Sequence, residues 1–237
     1  MSTIVTYNRG AQGLPVAEGS TDSRVRLWED FDGTTSKFTY SNGWGSVAGG
    51  GGVIANGTVT TVSLVKSAKF LGDLTTKDDS VSFVARAKFS GRATGAEVNE
   101  LGFGFSTNSH AIGTDAALFG MEVHSHLAPA NDAFACRVDT NANAAGDSGT
   151  LSGKIQSVKG LEDFDSEEFF TVGGVMTNIG THYKAQFFIN GVQVKEIRVP
   201  VASSGFTDGI CLFYAYQPVV EATGAAVIDY MAADCPR

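Results

Sequence analysis

Three polar side chains recur at every second residue between positions 122 and 126: Glu122, His124 and His126. Alternate residues of a β-strand project to one face, so a carboxylate and two imidazoles would converge there. Divalent metal ions bind both groups in proteins. We therefore treat this row as a candidate metal site. The commoner arrangement, and the one we expect, is a polar row that faces solvent or an interface and holds no metal.

A second set of oxygen ligands has the spacing of the first half of a calcium loop: Asp139, Asn141 and Asn143. The pattern is incomplete, because Ala144 stands where an EF-hand loop needs glycine and no acidic residue follows at the twelfth position. A denser acidic run between 162 and 168 is more typical of a solvated loop. The sequence thus predicts no resident cofactor, with Ca²⁺ as the alternative at these acidic loops.

Aromatic residues near the start of the chain are candidate sugar contacts. Trp44 and Tyr40, and also Trp28 and Tyr7, would stack on sugar rings if they were exposed. Core packing is the commoner fate of such side chains. Trp44 and Tyr40 are accordingly the carbohydrate-binding candidates of an alternative hypothesis.

The elements that must position these residues are strands. Apolar residues alternate with polar ones in several runs, each of which predicts a strand with one buried face. The predicted inward residues include Phe83, Phe89, Phe103, Phe105, Phe187 and Tyr214. Asn190-Gly191 separates two such runs and predicts a type I′ hairpin. Without helices to cover a parallel sheet, the chain is predicted to be all-β, a two-sheet antiparallel jelly-roll sandwich.

Composition and charge exclude several classes of function. The 237 residues carry a formal net charge of −8, which disfavours binding to nucleic acid or anionic lipid. No export signal and no membrane-spanning run is recognisable, so we expect synthesis in the cytoplasm without a signal peptide. The three cysteines, Cys136, Cys211 and Cys235, are far apart, and we expect them to be reduced and buried.

The first 23 residues differ from the rest of the chain. They are polar and interrupted by glycine, without sustained alternation, and are predicted to form an extended N-terminal arm ahead of a sandwich domain over 24–237. Its scattered apolar residues are the predicted partner-binding anchors: Ile4, Val5, Tyr7, Leu14 and Val16. Docking of the arm on its own domain is the alternative to gripping a neighbouring subunit.

Three segments carry a family resemblance: LWEDFDG at 27–33, YKAQFFINGVQV at 183–194 and IDY at 228–230. The chain resembles concanavalin A-like lectin and glucanase sandwiches, which include laminin-G-like modules and family-16 glycoside hydrolases. The resemblance implies the sandwich fold, but this fold hosts many functions. Family-16 hydrolases carry Glu-x-Asp-x-Glu on one strand, whereas this chain has Glu122, His124 and His126. The paired carboxylates of a retaining mechanism are missing from this strand, so we expect no enzyme activity.

Three functional hypotheses follow. The first is a non-enzymatic structural protein of a virion, a capsid decoration or fibre protein similar in style to those of tailed phages. Its partners would be other copies of itself or a capsid or tail protein. The second is a carbohydrate-binding, lectin-like module that contacts surface glycans. The third is a degenerate family-16-like glycoside hydrolase. None of them involves nucleic acid or a membrane.

Overall fold

The computed structural model describes fifteen strands and some of the turns between them. The described residues are 24–29, 31, 38–41, 44–46, 53–56, 63–67, 74–89, 98–106, 118–126, 133–139, 147–150, 169–201, 206, 212–217 and 225–236. The predicted N-terminal arm, with all five of its anchor residues, lies outside them.

The strands follow one another along the chain without an intervening helix among the described residues. They are β1 (Arg24–Glu29), β2 (Phe38–Ser41), β3 (Trp44–Ser46), β4 (Val53–Asn56), β5 (Ser63–Ser67), β6 (Ser80–Phe89), β7 (Val98–Ser106), β8 (Leu118–His126), β9 (Ala133–Asp139), β10 (Asp147–Thr150), β11 (Phe170–Asn178), β12 (His182–Ile189), β13 (Val192–Pro200), β14 (Leu212–Gln217) and β15 (Ala225–Pro236). Within this described part, no helix is long and apolar enough to cross a membrane.

Two antiparallel sheets pack against each other, which confirms the predicted jelly-roll sandwich. One sheet has eight strands in the order β13-β12-β11-β6-β15-β4-β3, with β1 also paired to β15. The other has seven strands in the order β10-β9-β8-β7-β14-β5-β2. Below they are called the eight-stranded and the seven-stranded sheet. The face of each sheet that points away from the other is its outer face.

The core between the sheets is built from phenylalanine rings. Phe83, Phe89, Phe103, Phe105 and Phe187 are buried as predicted. Phe119 of the seven-stranded sheet lies 5.4 Å, centroid to centroid, from both Phe83 and Phe187 of the eight-stranded sheet. This ring therefore ties the two sheets together, since aromatic pairs at such distances pack favourably.

The alternation predicted for β14 is shifted by one residue. The backbone register pairs Tyr214 with Gly104, whereas Phe213 pairs with Phe105 and Ala215 with Phe103. Directly paired residues of antiparallel strands belong to the same face. The residues that share the inward row of Phe103 and Phe105 are thus Ala215 and Phe213, and the assignment of Tyr214 to that row was wrong.

The predicted hairpin at Asn190-Gly191 is confirmed. Both residues adopt positive φ, 47° at Asn190 and 80° at Gly191, as a type I′ turn requires. The Asn190 side chain also accepts a hydrogen bond from the backbone N–H of Thr171 at 2.9 Å. The turn that joins β12 and β13 is thereby fastened to the start of β11.

The cysteines that the structure describes behave as expected. Cys136 and Cys235 are buried and form no disulfide, and Cys211 lies outside the described residues. Burial raises the pKa of the Cys136 thiol to about 12, although the nearby charge of Lys195 acts in the opposite direction. A thiol with such a pKa is protonated at neutral pH, so Cys136 is chemically inert there.

Candidate functional site

The outer face of the seven-stranded sheet holds the polar row that the sequence singled out. In the register of β7, β8 and β9, Glu122 pairs with Gly102 on one side and with Ala135 on the other. The residues between, Met121 and Val123, are buried in the core. This alternation turns Glu122 and His124 to the outer face, as predicted.

Glu122 is a buried carboxylate with a cationic partner. Its side chain is only 8% exposed, and its Oε1 accepts a hydrogen bond from Nη1 of Arg137 on β9 at 2.6 Å. A carboxylate removed from water needs such a partner, because uncompensated burial of a charge is costly. Of the two surroundings expected for this row, solvent or an interface, its burial excludes open solvent for Glu122. Arg137 is 38% exposed and remains the accessible member of the pair.

His124 completes a polar trio with Glu122 and Arg137. Its Nε2 lies 3.6 Å from Oε2 of Glu122, whereas Nη1 of Arg137 donates to Oε1. With a neutral imidazole the trio has no net charge, and with a protonated one it carries a single positive charge. Guanidinium and imidazole N–H groups and carboxylate oxygens thus lie within one small region.

A floor of glycines borders the trio. Gly102, Gly104 and Gly120 occupy adjacent outer-face positions on β7 and β8. A Cβ at Gly104 would lie 2.2 Å from the carbonyl oxygen of Phe119, so only glycine allows the backbones to approach this closely. Gly102, Gly104 and Gly120 are themselves buried, and the backbone register places Tyr214 beside Gly104 and Tyr216 beside Gly102 in the same outer-face rows.

The metal-site candidates remain predictions. Arg137 already holds Oε1 of Glu122, and the described residues contain no cluster of three metal-binding side chains. The side chains of His126 and Asp139, as well as Asn141 and Asn143, fall outside the description. Calcium at the acidic loops is equally untested.

The two sugar-contact candidates lie in different sheets. Tyr40 is on β2 and pairs with Val65, at one edge of the seven-stranded sheet. Trp44 is on β3 and pairs with Ala55, at an edge of the eight-stranded sheet. Their side chains are outside the described set, so their role in carbohydrate binding also stays a prediction.

Sequence reasoning missed two residues of this face. Arg137 is visible only as a polar residue in the alternation of β9, and only the pairing of β9 with β8 brings it to Glu122. Glu100 of β7 pairs with His124, and its position is thus diagonal to that of Glu122. Diagonal positions on a sheet are about 7–8 Å apart. No local sequence motif indicates that either residue belongs to this site.

Comparison with known proteins identifies the fold. No protein-family model and no curated protein sequence matches the chain. Among solved structures, it is similar to an endo-1,3-β-glucanase from Streptomyces sioyaensis, with a TM-score of 0.61, 10% identity and coverage of 94% of this chain and 100% of the other. It is also similar to peanut lectin bound to a nine-residue peptide, with a TM-score of 0.56, 8% identity and coverage of 89% and 97%.

A third similar structure comes from a virus. It is the CBM2 module of an evolved Dit protein of Lactobacillus casei BL23 phage J-1, with a TM-score of 0.56, 14% identity and coverage of 90% of this chain and 96% of that one. The chain therefore has the concanavalin A-like jelly-roll fold, as the sequence resemblance implied. At these identities the likeness concerns the fold, and the same fold carries enzymes and lectins.

Proposed function

We propose that this protein is a non-catalytic carbohydrate-binding module, whose sugar-binding surface is the outer face of the seven-stranded sheet. The observation that carries the proposal is the buried Glu122–Arg137 pair with His124 beside it, at the border of the glycine floor. Glycan-binding and glycan-cleaving proteins among its structural neighbours support it.

The chemistry of the trio suits sugar hydroxyls. Each hydroxyl both donates and accepts a hydrogen bond. A carboxylate and a planar guanidinium held side by side fix the positions of hydrogen-bond acceptors and donors, and Arg137 is exposed enough to reach a ligand.

The same face argues against hydrolysis. A retaining glycosidase needs two carboxyl groups about 5 to 5.5 Å apart, and β8 has His124 and His126 in the positions that follow Glu122. Glu100 is a further acidic residue whose backbone position lies on this face, so the tests for hydrolysis include it.

Calorimetric titration with laminarihexaose and a glycan array together test the binding. We expect the array to identify a bound glycan, and Arg137→Met and Glu122→Gln to weaken its affinity at least tenfold, since each removes a charge-assisted hydrogen bond worth about 1.5–3 kcal/mol. Lys184→Gln, on the other sheet, is the matched control and should bind as wild type. Absence of binding across the array and to laminarihexaose would refute the proposal.

A reducing-sugar assay on β-glucan tests the non-catalytic part. We expect no product above the buffer background. Turnover that disappears in both Glu122→Gln and Glu100→Gln would show that the protein is a hydrolase instead of a binding module.

A second candidate is an assembly role in a phage particle, as a capsid decoration or fibre protein. Its likeness to the phage Dit module supports it, and the two roles are compatible in a virion component that contacts surface glycans. Deletion of residues 2–20 should leave the sandwich folded but weaken its assembly, measured by light scattering. Unchanged particle mass in the truncated protein would count against this role.

A further inference from the structure

The outer face of the eight-stranded sheet carries a second group of aromatic and charged side chains. Trp28 of β1 stacks on Tyr230 of β15, with ring centroids 4.9 Å apart and an angle of 18° between the planes. Both residues are half-buried, although core packing was the expectation for Trp28. Tyr230 and Thr171 are both paired with Arg86 in the register, so the two residues lie on either side of β6 on this face.

Two cations meet at one neighbouring ring. The guanidinium carbon of Arg86 lies 4.1 Å from the centroid of Phe169, and Nζ of Lys88 lies 5.1 Å from it. Cations are attracted to the faces of aromatic rings, and this attraction holds both heads close together despite their like charge. Such a pair on a protein with a net charge of −8 is a local departure from the acidic surface.

Among the residues that the structure describes, one carboxylate partly balances these cations. Nη1 of Arg86 forms an ion pair with Oδ2 of Asp229. Asp229 sits where the register of β15 against β6 shifts between Ile228 and Tyr230, and a bulge of this kind re-aims a side chain. The side chains of Arg86 and Asp229 remain 27% and 34% exposed.

Several polar atoms of this group are available to a ligand. Within the described part of the chain, Nε and Nη2 of Arg86, Oδ1 of Asp229 and Nζ of Lys88 make no hydrogen bond. Arg86 presents its two donor atoms in one plane, which is the geometry that binds an oxyanion at two points. Arg86 and Lys88 are cationic and Asp229 is anionic, so these three described side chains together carry a charge of +1.

We propose that Trp28, Tyr230, Arg86 and Lys88 form a second binding surface, specific for sugars that carry an oxyanion, such as a carboxylate or a phosphate. The apolar C–H face of the sugar ring would pack on the Trp28–Tyr230 pair, and its oxyanion would accept hydrogen bonds from Arg86 and Lys88. Oδ1 of Asp229 would accept a hydrogen bond from a ring hydroxyl. This surface lies on the opposite side of the sandwich from the Glu122 site and does not depend on it.

The composition of the group favours a ligand that is both cyclic and charged. A bare anion would leave the aromatic pair without a role, and a neutral sugar would offer no oxyanion to the donor groups of Arg86 and Lys88. Half-exposed Trp, Tyr and Arg side chains side by side are also what binding surfaces are enriched in. An acidic sugar uses all four residues at once.

Titration calorimetry with the full chain tests the proposal, with trigalacturonate for the carboxylate, glucose 6-phosphate for the phosphate, and maltotriose as the neutral probe. We expect at least one acidic sugar to bind and maltotriose to bind at least tenfold more weakly. Lys88→Gln and Trp28→Ala should each weaken the acidic sugar about tenfold, because one removes the charge contact and the other the stacking surface. Lys184→Gln, which removes the same charge elsewhere on this face, should leave the affinity unchanged.

Three results would overturn the inference: no acidic sugar binding at millimolar concentration, equal binding of maltotriose, or inorganic phosphate alone binding as tightly as the sugars. Arg137→Met is measured in parallel. If it abolished the binding and Lys88→Gln did not, the acidic sugar would belong to the seven-stranded sheet. If ligand binding is not found at one of the two surfaces, the proposal for the other surface still stands, so the two proposals are tested separately.

Discussion

Gly174 controls how closely the two sheets approach, and replacing it with alanine tests that idea. It lies on β11 between Phe83 and Phe187 in the register, and the ring of Phe119 from the opposite sheet fills the space above it. A Cβ at this position would lie 2.7 Å from Cζ of Phe119 and 2.7 Å from Cε1 of Phe83. Ordinary contacts begin near 3.4 Å, so each ring would have to move by about 0.7 Å.

The cost follows from the packing around these rings. Phe119 lies in ring contact with Phe83, Phe105 and Phe187, so it cannot move without disturbing both sheets. Inserting a methyl group into such a core costs about 1–3 kcal/mol. Alanine also has less conformational entropy than glycine in the unfolded chain, and this offsets about 0.4–1 kcal/mol of that cost. We expect Gly174→Ala to lower the free energy of unfolding by about 1–2 kcal/mol.

Urea unfolding and a thermal melt measure the effect, and the melting temperature of a domain of this size should fall by about 2–8 °C. Phe119→Leu provides the control, because a smaller side chain makes room for the methyl group. The double variant should then be more stable than the sum of the two single changes predicts. Equal stability of Gly174→Ala and wild type, or strict additivity in the cycle, would show that Gly174 does not set the sheet spacing.

Three further changes probe other parts of the fold. Gly191→Ala should lower the free energy of unfolding in urea by about 1–2 kcal/mol because of the positive φ at this position. A Cβ there would meet nothing within 4 Å, so no steric clash adds to this effect, and an unchanged free energy of unfolding would contradict the prediction. Cys136 should resist alkylation at pH 8 until the protein unfolds, as read by mass spectrometry. Above about pH 9 the thiol ionises in the unfolded chain but not in the folded protein, where its pKa is about 12. We therefore expect the free energy of unfolding to fall by up to about 1.4 kcal/mol per pH unit in that range. A free energy of unfolding that does not change with pH there would contradict this. Lys195 lies on the edge strand β13, where it pairs with Phe187 of β12 and shares its inward face. Because inward-pointing charges on an edge strand discourage pairing with another chain, Lys195→Val should promote self-association, measured by sedimentation velocity. Arg198→Val, on the opposite face of the same strand, should not.

Local pattern was sufficient for most of the core. Phe83 and Phe103 sit in runs whose other face is polar or glycine, so the inward face was unambiguous. Tyr214 was assigned to the wrong row because β14 is apolar on both faces, with Leu212 and Tyr214 in one row and Phe213 and Ala215 in the other. Only pairing with β7 decides between them.

The candidate sites depended on contacts that no local pattern encodes. Alternation placed Glu122 and His124 on one face of β8 but said nothing of the strand beside it, from which Arg137 reaches Glu122. The second surface is even harder to predict from the sequence, because its stacked residues Trp28 and Tyr230 come from opposite ends of the chain. Burial of a charged residue is likewise a property of its neighbours, so the alternation of β8 alone left open whether Glu122 faces solvent or an interface.

The position of β15 links the earliest strands to the latest. Its first residues pair with β4, its last residues pair with β1, and its other edge pairs with β6. During synthesis β1 therefore has to wait on the ribosome-bound chain for a partner about two hundred residues downstream. Until β15 emerges, β4 and one edge of β6 are exposed as well, and open strand edges are where nascent chains associate wrongly. The eight-stranded sheet can close only as its final strand is made.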